Sequence, residues 1–157
     1  MNAYRIEPLK YPWPTLIYLL AAGAAAGLQH VLAFYLSDFG SLTLAMLGFV
    51  TAIAGIYLVV SAAVMLYLNR SSLFARRSPG RLVIHGPFKF SRHPMYLGYT
   101  LLLVGAGLFL DNGWLLVAAV IAAVLTHVCV IRKEEMHLLA RFGYEFERYC
   151  RRTRAWI

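Results

Sequence analysis

Apolar residues fall into four long runs, at about residues 13–36, 42–68, 94–110 and 114–131. These hold 24, 27, 17 and 18 residues. At about 1.5 Å of rise per residue, each is near the length that crosses a hydrocarbon core of about 30 Å. The first two have room to tilt, and the last two rely on neighbouring helices. The polar connections alternate in character. Ser-Asp-Phe-Gly-Ser at 37–41 and Asp-Asn-Gly at 111–113 are short and carry no Lys or Arg, whereas 69–93 and the tail from Arg132 are basic. Basic flanks stay on the cytoplasmic side of a membrane. The pattern therefore predicts an all-α integral membrane bundle of four transmembrane helices, with both termini and the central segment cytoplasmic.

Two stretches need separate treatment. Ala-Ala-Gly-Ala-Ala-Ala-Gly at 21–27 looks like a processing site, but apolar sequence continues through 31–36, so a retained first helix is expected. The tail from Glu134 to Tyr149 places Leu138, Leu139, Phe142, Phe146 and Tyr149 on one helical face. That predicts a C-terminal amphipathic helix, lying on the cytoplasmic interface or against the central segment, with Gly143 as a break or bend.

Composition agrees with the pattern. The chain has 157 residues, 61% hydrophobic and only 14% charged, with a mean hydropathy of +0.64. Soluble domains hold roughly 45–50% apolar and about 25% charged residues, and a chain this small cannot hide such an excess from water. A single membrane domain spanning 1–157 follows. The net charge of +8 does not point to nucleic acid, because all 15 Lys and Arg sit in three clusters that flank the apolar runs. The two cysteines, Cys129 and Cys150, show neither metal-site nor disulfide spacing and read as ordinary thiols. No metal site is expected.

The central segment is rich in chemistry. Gly86-Pro87 marks a turn, and Pro94 suits the first position of a helix. The N–H groups of Met95 and Tyr96 then lack helical partners, beside Arg92 and His93. This predicts an anion site at the membrane surface; contact of Arg92 with lipid phosphate, with His93 capping the helix, is the plainer alternative. Glu134 and Glu135 follow Arg132 and Lys133 at the end of the fourth run. Neighbouring helical residues lie about 100° apart, so one Glu is expected to face the site and the other a basic partner. Gln29, His30, Thr126 and His127 lie within spans and read as interhelical hydrogen-bonding groups, with His127 also able to line the cavity of Glu134.

Arg92-His93-Pro94-Met95-Tyr96-Leu97-Gly98, then Glu134-Glu135-Met136-His137-Leu138 and Phe142-Gly143, resembles the isoprenylcysteine carboxyl methyltransferase and phospholipid methyltransferase superfamily. The resemblance runs from about 81 to 149; Phe146 stands where Tyr is usual, and 1–68 carries no signature. It implies a methyltransferase core at 69–157 behind two N-terminal spans. It also implies S-adenosylmethionine as cofactor and methyl transfer to a lipophilic or membrane-associated acceptor: a prenylcysteine-like carboxylate, a phospholipid amine, or a small hydrophobic thiol or acid.

By position, the resemblance implies a cofactor pocket of Arg81, Leu82, Val83, Ile84, His85, Gly86, Phe88, Arg92, His93, Pro94, Tyr96, Gly98, Glu134 and Glu135. Phe88 and Tyr96 would meet the adenine or the sulfonium, and one Glu the ammonium or ribose. Gly98, Gly105 and Gly107 would serve close helix approach or make room for a ligand. Arg132 is the expected orienting group for an anionic acceptor, and Glu135 or Glu134 the general base for an amine or thiol. A sterol-reductase-like membrane enzyme using a nicotinamide dinucleotide, and a non-catalytic membrane scaffold, are the rival readings.

Overall fold

The computed structural model describes residues 13–37, 41–69 and 82–157. Six α-helices account for most of them: α1 (Trp13–Val31), α2 (Leu42–Leu68), α3 (Pro94–Phe109), α4 (Gly113–Thr126), α5 (Arg132–Phe142) and α6 (Tyr144–Cys150). A 3₁₀ turn, Gly86–Lys89, precedes α3, and a π-helical turn, His127–Ile131, joins α4 to α5. Trp13–Val31, Leu42–Leu68 and the continuous helix Gly113–Phe142 are long and apolar enough to cross a membrane. The 16-residue α3 is apolar but shorter.

The seam between α2 and α3 is made by glycine. Gly48 and Gly55 lie seven residues apart on α2, and Gly98 and Gly105 seven apart on α3. All four are buried. A Cβ on Gly105 would stand 2.6 Å from the Ala52 backbone nitrogen, and one on Gly55 would stand 2.8 Å from the Gly98 carbonyl oxygen. The two backbones are thus in direct contact, as close helix pairing in lipid requires. Gly98 serves this seam: a Cβ there would meet Val59 Cγ2 at 2.6 Å. On the other flank Tyr18 and Ala25 of α1 pack with Leu103 of α3 and with Leu115, Ala118, Ala119 and Ala122 of α4.

The first helix ends at Val31, five residues before the end of its apolar run. The chain turns there because other groups take over its backbone. Gln29 Oε1 accepts from Phe34 N–H, and the Leu32 carbonyl accepts from the Trp114 indole. Gly113 N–H donates to the Phe34 carbonyl, while the Phe34 ring covers Gly113 and meets Trp114 edge-on. Asp111, at a positive φ of 51°, accepts from the N–H groups of Leu36 and Ser37. The two short connections therefore lock to each other.

The tail also differs from a separate amphipathic helix. Its first half continues α4 through the π turn, and the break falls at Gly143, where φ is +48°. Phe146 and Tyr149 are buried, whereas Leu139 is exposed. An added methyl group at the α2–α3 seam separates two backbones. Gly105→Ala should therefore lower stability by about 1–3 kcal/mol, read as a lower thermal midpoint in detergent. Gly27→Ala, whose Cβ meets nothing within 4 Å, should leave the midpoint unchanged or raise it.

Candidate active site

Pro94 opens α3, so His93 occupies its N-cap and points into the protein, 5% exposed. The opposing residues come from α5. On α4 the inward stripe runs through Ala119, Ala122 and Thr126. The π turn then adds one residue, closed by the Arg132 N–H donating to the His127 carbonyl. The stripe steps by five to Ile131, which is fully buried, and by four to Glu135. That extra residue aims the acidic pair at His93.

The result is an imidazole between two carboxylates. His93 Nε2 lies 3.3 Å from Glu135 Oε1, and His93 Nδ1 lies 3.7 Å from Glu134 Oε2. The Tyr96 hydroxyl donates to Glu134 Oε2 at 3.0 Å, and its ring stacks on His93 with centroids 5.6 Å apart. Arg92 Nη2 pairs with Glu135 Oε1 at 3.2 Å, and Arg92 Nη1 donates to Cys150 Sγ. Both glutamates face the site, correcting the expectation of one. The 100° between neighbours is spanned because a single flat ring presents a nitrogen to each carboxylate.

The anion site expected at the start of α3 is altered in the same way. The Arg92 charge is already matched by Glu135, and Tyr96 N–H donates to the His93 carbonyl at 3.1 Å. His93 makes no side-chain cap. The Glu135 carboxylate lies against both His93 and Arg92, contacts that favour its charged form. Burial raises the Tyr149 phenol, which stays protonated and donates to the Phe88 carbonyl.

The other expected site residues are placed unevenly. Phe88 and Pro94 are buried beside the cluster's loop. Leu82 and Val83 are half-buried, Ile84 and His85 exposed, and Gly86, at φ +62°, rests on Met65 of α2. Arg81 lies outside the described residues. Arg132 is exposed and makes no ion pair with a described residue. Together with Glu135 it lines a groove of about 700 Å³ between α5 and α6, floored by Met136, Leu139 and Phe146 and edged by Glu147, Cys150 and Arg151. His127 does not line it; its Nδ1 accepts from the Trp156 indole.

Several contributors escaped sequence reasoning. Cys150 and Tyr149 reach the loop at 88–92 across about 60 residues, which no local spacing shows. Tyr18 of α1 donates to the Tyr96 carbonyl at 3.3 Å and shares a hydrogen bond of 2.8 Å with Thr100 Oγ1. A tyrosine in an apolar run was the available signal there.

A helical membrane protein with a guanidinium, an imidazole and two carboxylates meeting at the start of α3 is the class these features define. The chain belongs to the phospholipid methyltransferase family, whose model matches residues 43–145. It is 37% identical over 81 residues to the nickel-cobalt-cadmium resistance protein NccN of Alcaligenes xylosoxydans xylosoxydans, a match covering 52% of this chain and 38% of that protein. It is 33% identical over 81 residues to the cobalt-zinc-cadmium resistance protein CzcN of Cupriavidus metallidurans, covering 52% and 37%. The chain thus spans under two fifths of these curated relatives. No solved structure matches it.

The Arg92–Glu135 pair makes a testable contribution. Glu135→Gln keeps the side-chain shape but leaves the Arg92 guanidinium without its carboxylate partner. It should lower the thermal midpoint in detergent at neutral pH; an unchanged midpoint would contradict it.

Proposed function

We propose that the protein transfers a methyl group from S-adenosylmethionine to a lipophilic acceptor at the cytoplasmic face of the membrane. Family membership supports methyl transfer. The observation that carries the cofactor reading is the acidic pair around His93, beside a groove with exposed arginine at its rim. The residues fit the cofactor's charges. Glu134 and Glu135 suit its cationic ammonium and sulfonium and the Tyr96 and His93 rings its adenine; Arg92 would meet its carboxylate by exchanging Glu135 for it as Glu135 turns to the cation. When bound, the cofactor supplies an activated methyl group whose leaving atom is already cationic.

The chain's own residues then align and shield the reactants. Arg132 orients an anionic acceptor at the groove. Glu135, which lines the groove, or Glu134 beside it is the base for an amine or thiol acceptor; a carboxylate acceptor needs none. The apolar floor of Met136, Leu139 and Phe146 admits a hydrocarbon chain from the bilayer side. We assign all four long apolar segments as spans, α3 crossing with help from its glycine seam to α2, and both termini cytoplasmic.

Calorimetry with S-adenosylhomocysteine, in mild detergent, tests the cofactor. Wild type should bind saturably. Arg92→Ala and Glu134→Gln should each weaken binding about 10- to 100-fold, as loss of a charged hydrogen bond does. Arg132→Ala should bind S-adenosylhomocysteine normally yet fail to move labelled methyl groups into a membrane lipid extract. No binding by folded wild type would overturn the cofactor reading.

A further inference from the structure

Two segments build the acid–imidazole cluster: residues 88–96 carry Arg92, His93 and Tyr96, and residues 127–135 carry the π turn and the two glutamates. The last residues of the chain are bonded to both. On one side Arg92 N–H donates to the Arg154 carbonyl at 3.0 Å. The Ser91 hydroxyl donates to the Ala155 carbonyl at 3.1 Å, and the Thr153 hydroxyl to the Lys89 carbonyl at 3.3 Å. Ser91 and Arg154 form a parallel β-bridge, the only bridge among the described residues. The Ser91 oxygen also accepts from His93 N–H at 3.2 Å. Ser91 and Thr153 are buried, at 2% and 7% exposure.

On the other side the Trp156 indole donates to His127 Nδ1 at 3.3 Å. His127 is where the π turn begins, and its carbonyl takes the Arg132 N–H that closes that turn. The tail therefore holds the His93 loop by its backbone and the glutamate-bearing helix by the first residue of its bulge. The parts of α6 and the tail that do this lie beyond the stretch matched by the family.

We propose that residues 153–156 are a brace that sets how far Arg92 and His93 stand from Glu134 and Glu135, and that Trp156 and His127 are positioning residues for the site. Among the described residues neither side chain hydrogen-bonds to the cluster, and the His127 ring lies near enough for its charge to act on Glu135. A spacing error of about 1 Å is enough to spoil a positioned site, and the brace is short enough to transmit one. Among the described residues its single side-chain hydrogen bond to the π turn is that of Trp156 with His127. Without that tie the strap still holds 89–92 but no longer reaches the π turn by a side chain.

Hydrogen exchange on the ligand-free protein tests the brace without any cofactor. Trp156→Phe keeps an aromatic ring at the interface but removes the donor. It should speed exchange about three- to tenfold in both 88–93 and 132–136, the effect of one lost hydrogen bond. His127→Phe should do the same. His127→Asn, which keeps an acceptor near the position of Nδ1, should exchange like wild type. The Trp156→Phe/His127→Phe double variant should be no worse than either single one, because both remove the same bond. A second arm, resting on the proposed function, predicts that Trp156→Phe weakens S-adenosylhomocysteine binding by a similar factor and that His127→Asn does not. Unchanged exchange in both segments, change confined to the tail, or additive effects in the double variant would overturn the brace. If wild type binds no S-adenosylhomocysteine while exchange responds as described, the brace stands and the cofactor reading falls.

Discussion

An imidazole buried between two carboxylates is the arrangement on which the rest of this structure depends. Buried charge is tolerated only where it is paired and hydrogen-bonded, so His93, Arg92 and Glu135 must be brought together or not buried at all, and the more exposed Glu134 completes the group. They come from two helices about 40 residues apart in sequence, and each helix needs its own device to deliver them. Proline fixes the start of α3 and puts His93 at its cap. The π turn rotates α5 so that both acids face inward.

The remaining contacts keep those two helices in place. The glycine seam presses α3 against α2 with backbone touching backbone, leaving α3 little freedom to slide or rotate. At one end, Asp111 gathers the N–H groups of Leu36 and Ser37, tying the α1–α2 connection to the α3–α4 turn. At the other end, the polar cluster joins α3 to α5. Tyr18 adds α1 to the same assembly through the Tyr96 carbonyl, one residue that also serves Glu134 by its hydroxyl. The outward surfaces of α1 and α2 carry exposed Leu, Val, Ile and Phe, suited to lipid. The chemistry is thus concentrated at one end of a frame whose other parts are apolar and closely packed.

Much of this was legible in the sequence because its signals are local. Proline at a helix start and an uninterrupted run such as Leu42–Leu68 need no tertiary information, and α2 and the start of α3 fall where the pattern puts them. The Arg92–Tyr96 block and the acidic pair were legible as candidates, from residue type and order. What escaped depends on contacts. The first apolar run stops being helical at Val31 because Trp114 and Gly113, about 80 residues on, capture its backbone. The π turn has no sequence signature in His-Val-Cys-Val-Ile, and without it the placement of both glutamates on His93 could not be read. Gly98 looked equally suited to packing or to a ligand, and its place in the α2–α3 seam shows only in the distance to Val59. The tail of arginines ending in Trp156 read as a charged flank because its partners at 89–92 and at His127 are distant in sequence.

The central claim is that the His93–Glu134–Glu135 cluster holds the methyl donor. Ultraviolet cross-linking of S-adenosylmethionine labelled in its methyl group, followed by peptide mapping, tests it most directly. The account predicts label in peptides covering 92–98 and 132–139, lost when excess S-adenosylhomocysteine competes. Label confined to other segments, or label that excess S-adenosylhomocysteine does not displace, would contradict it.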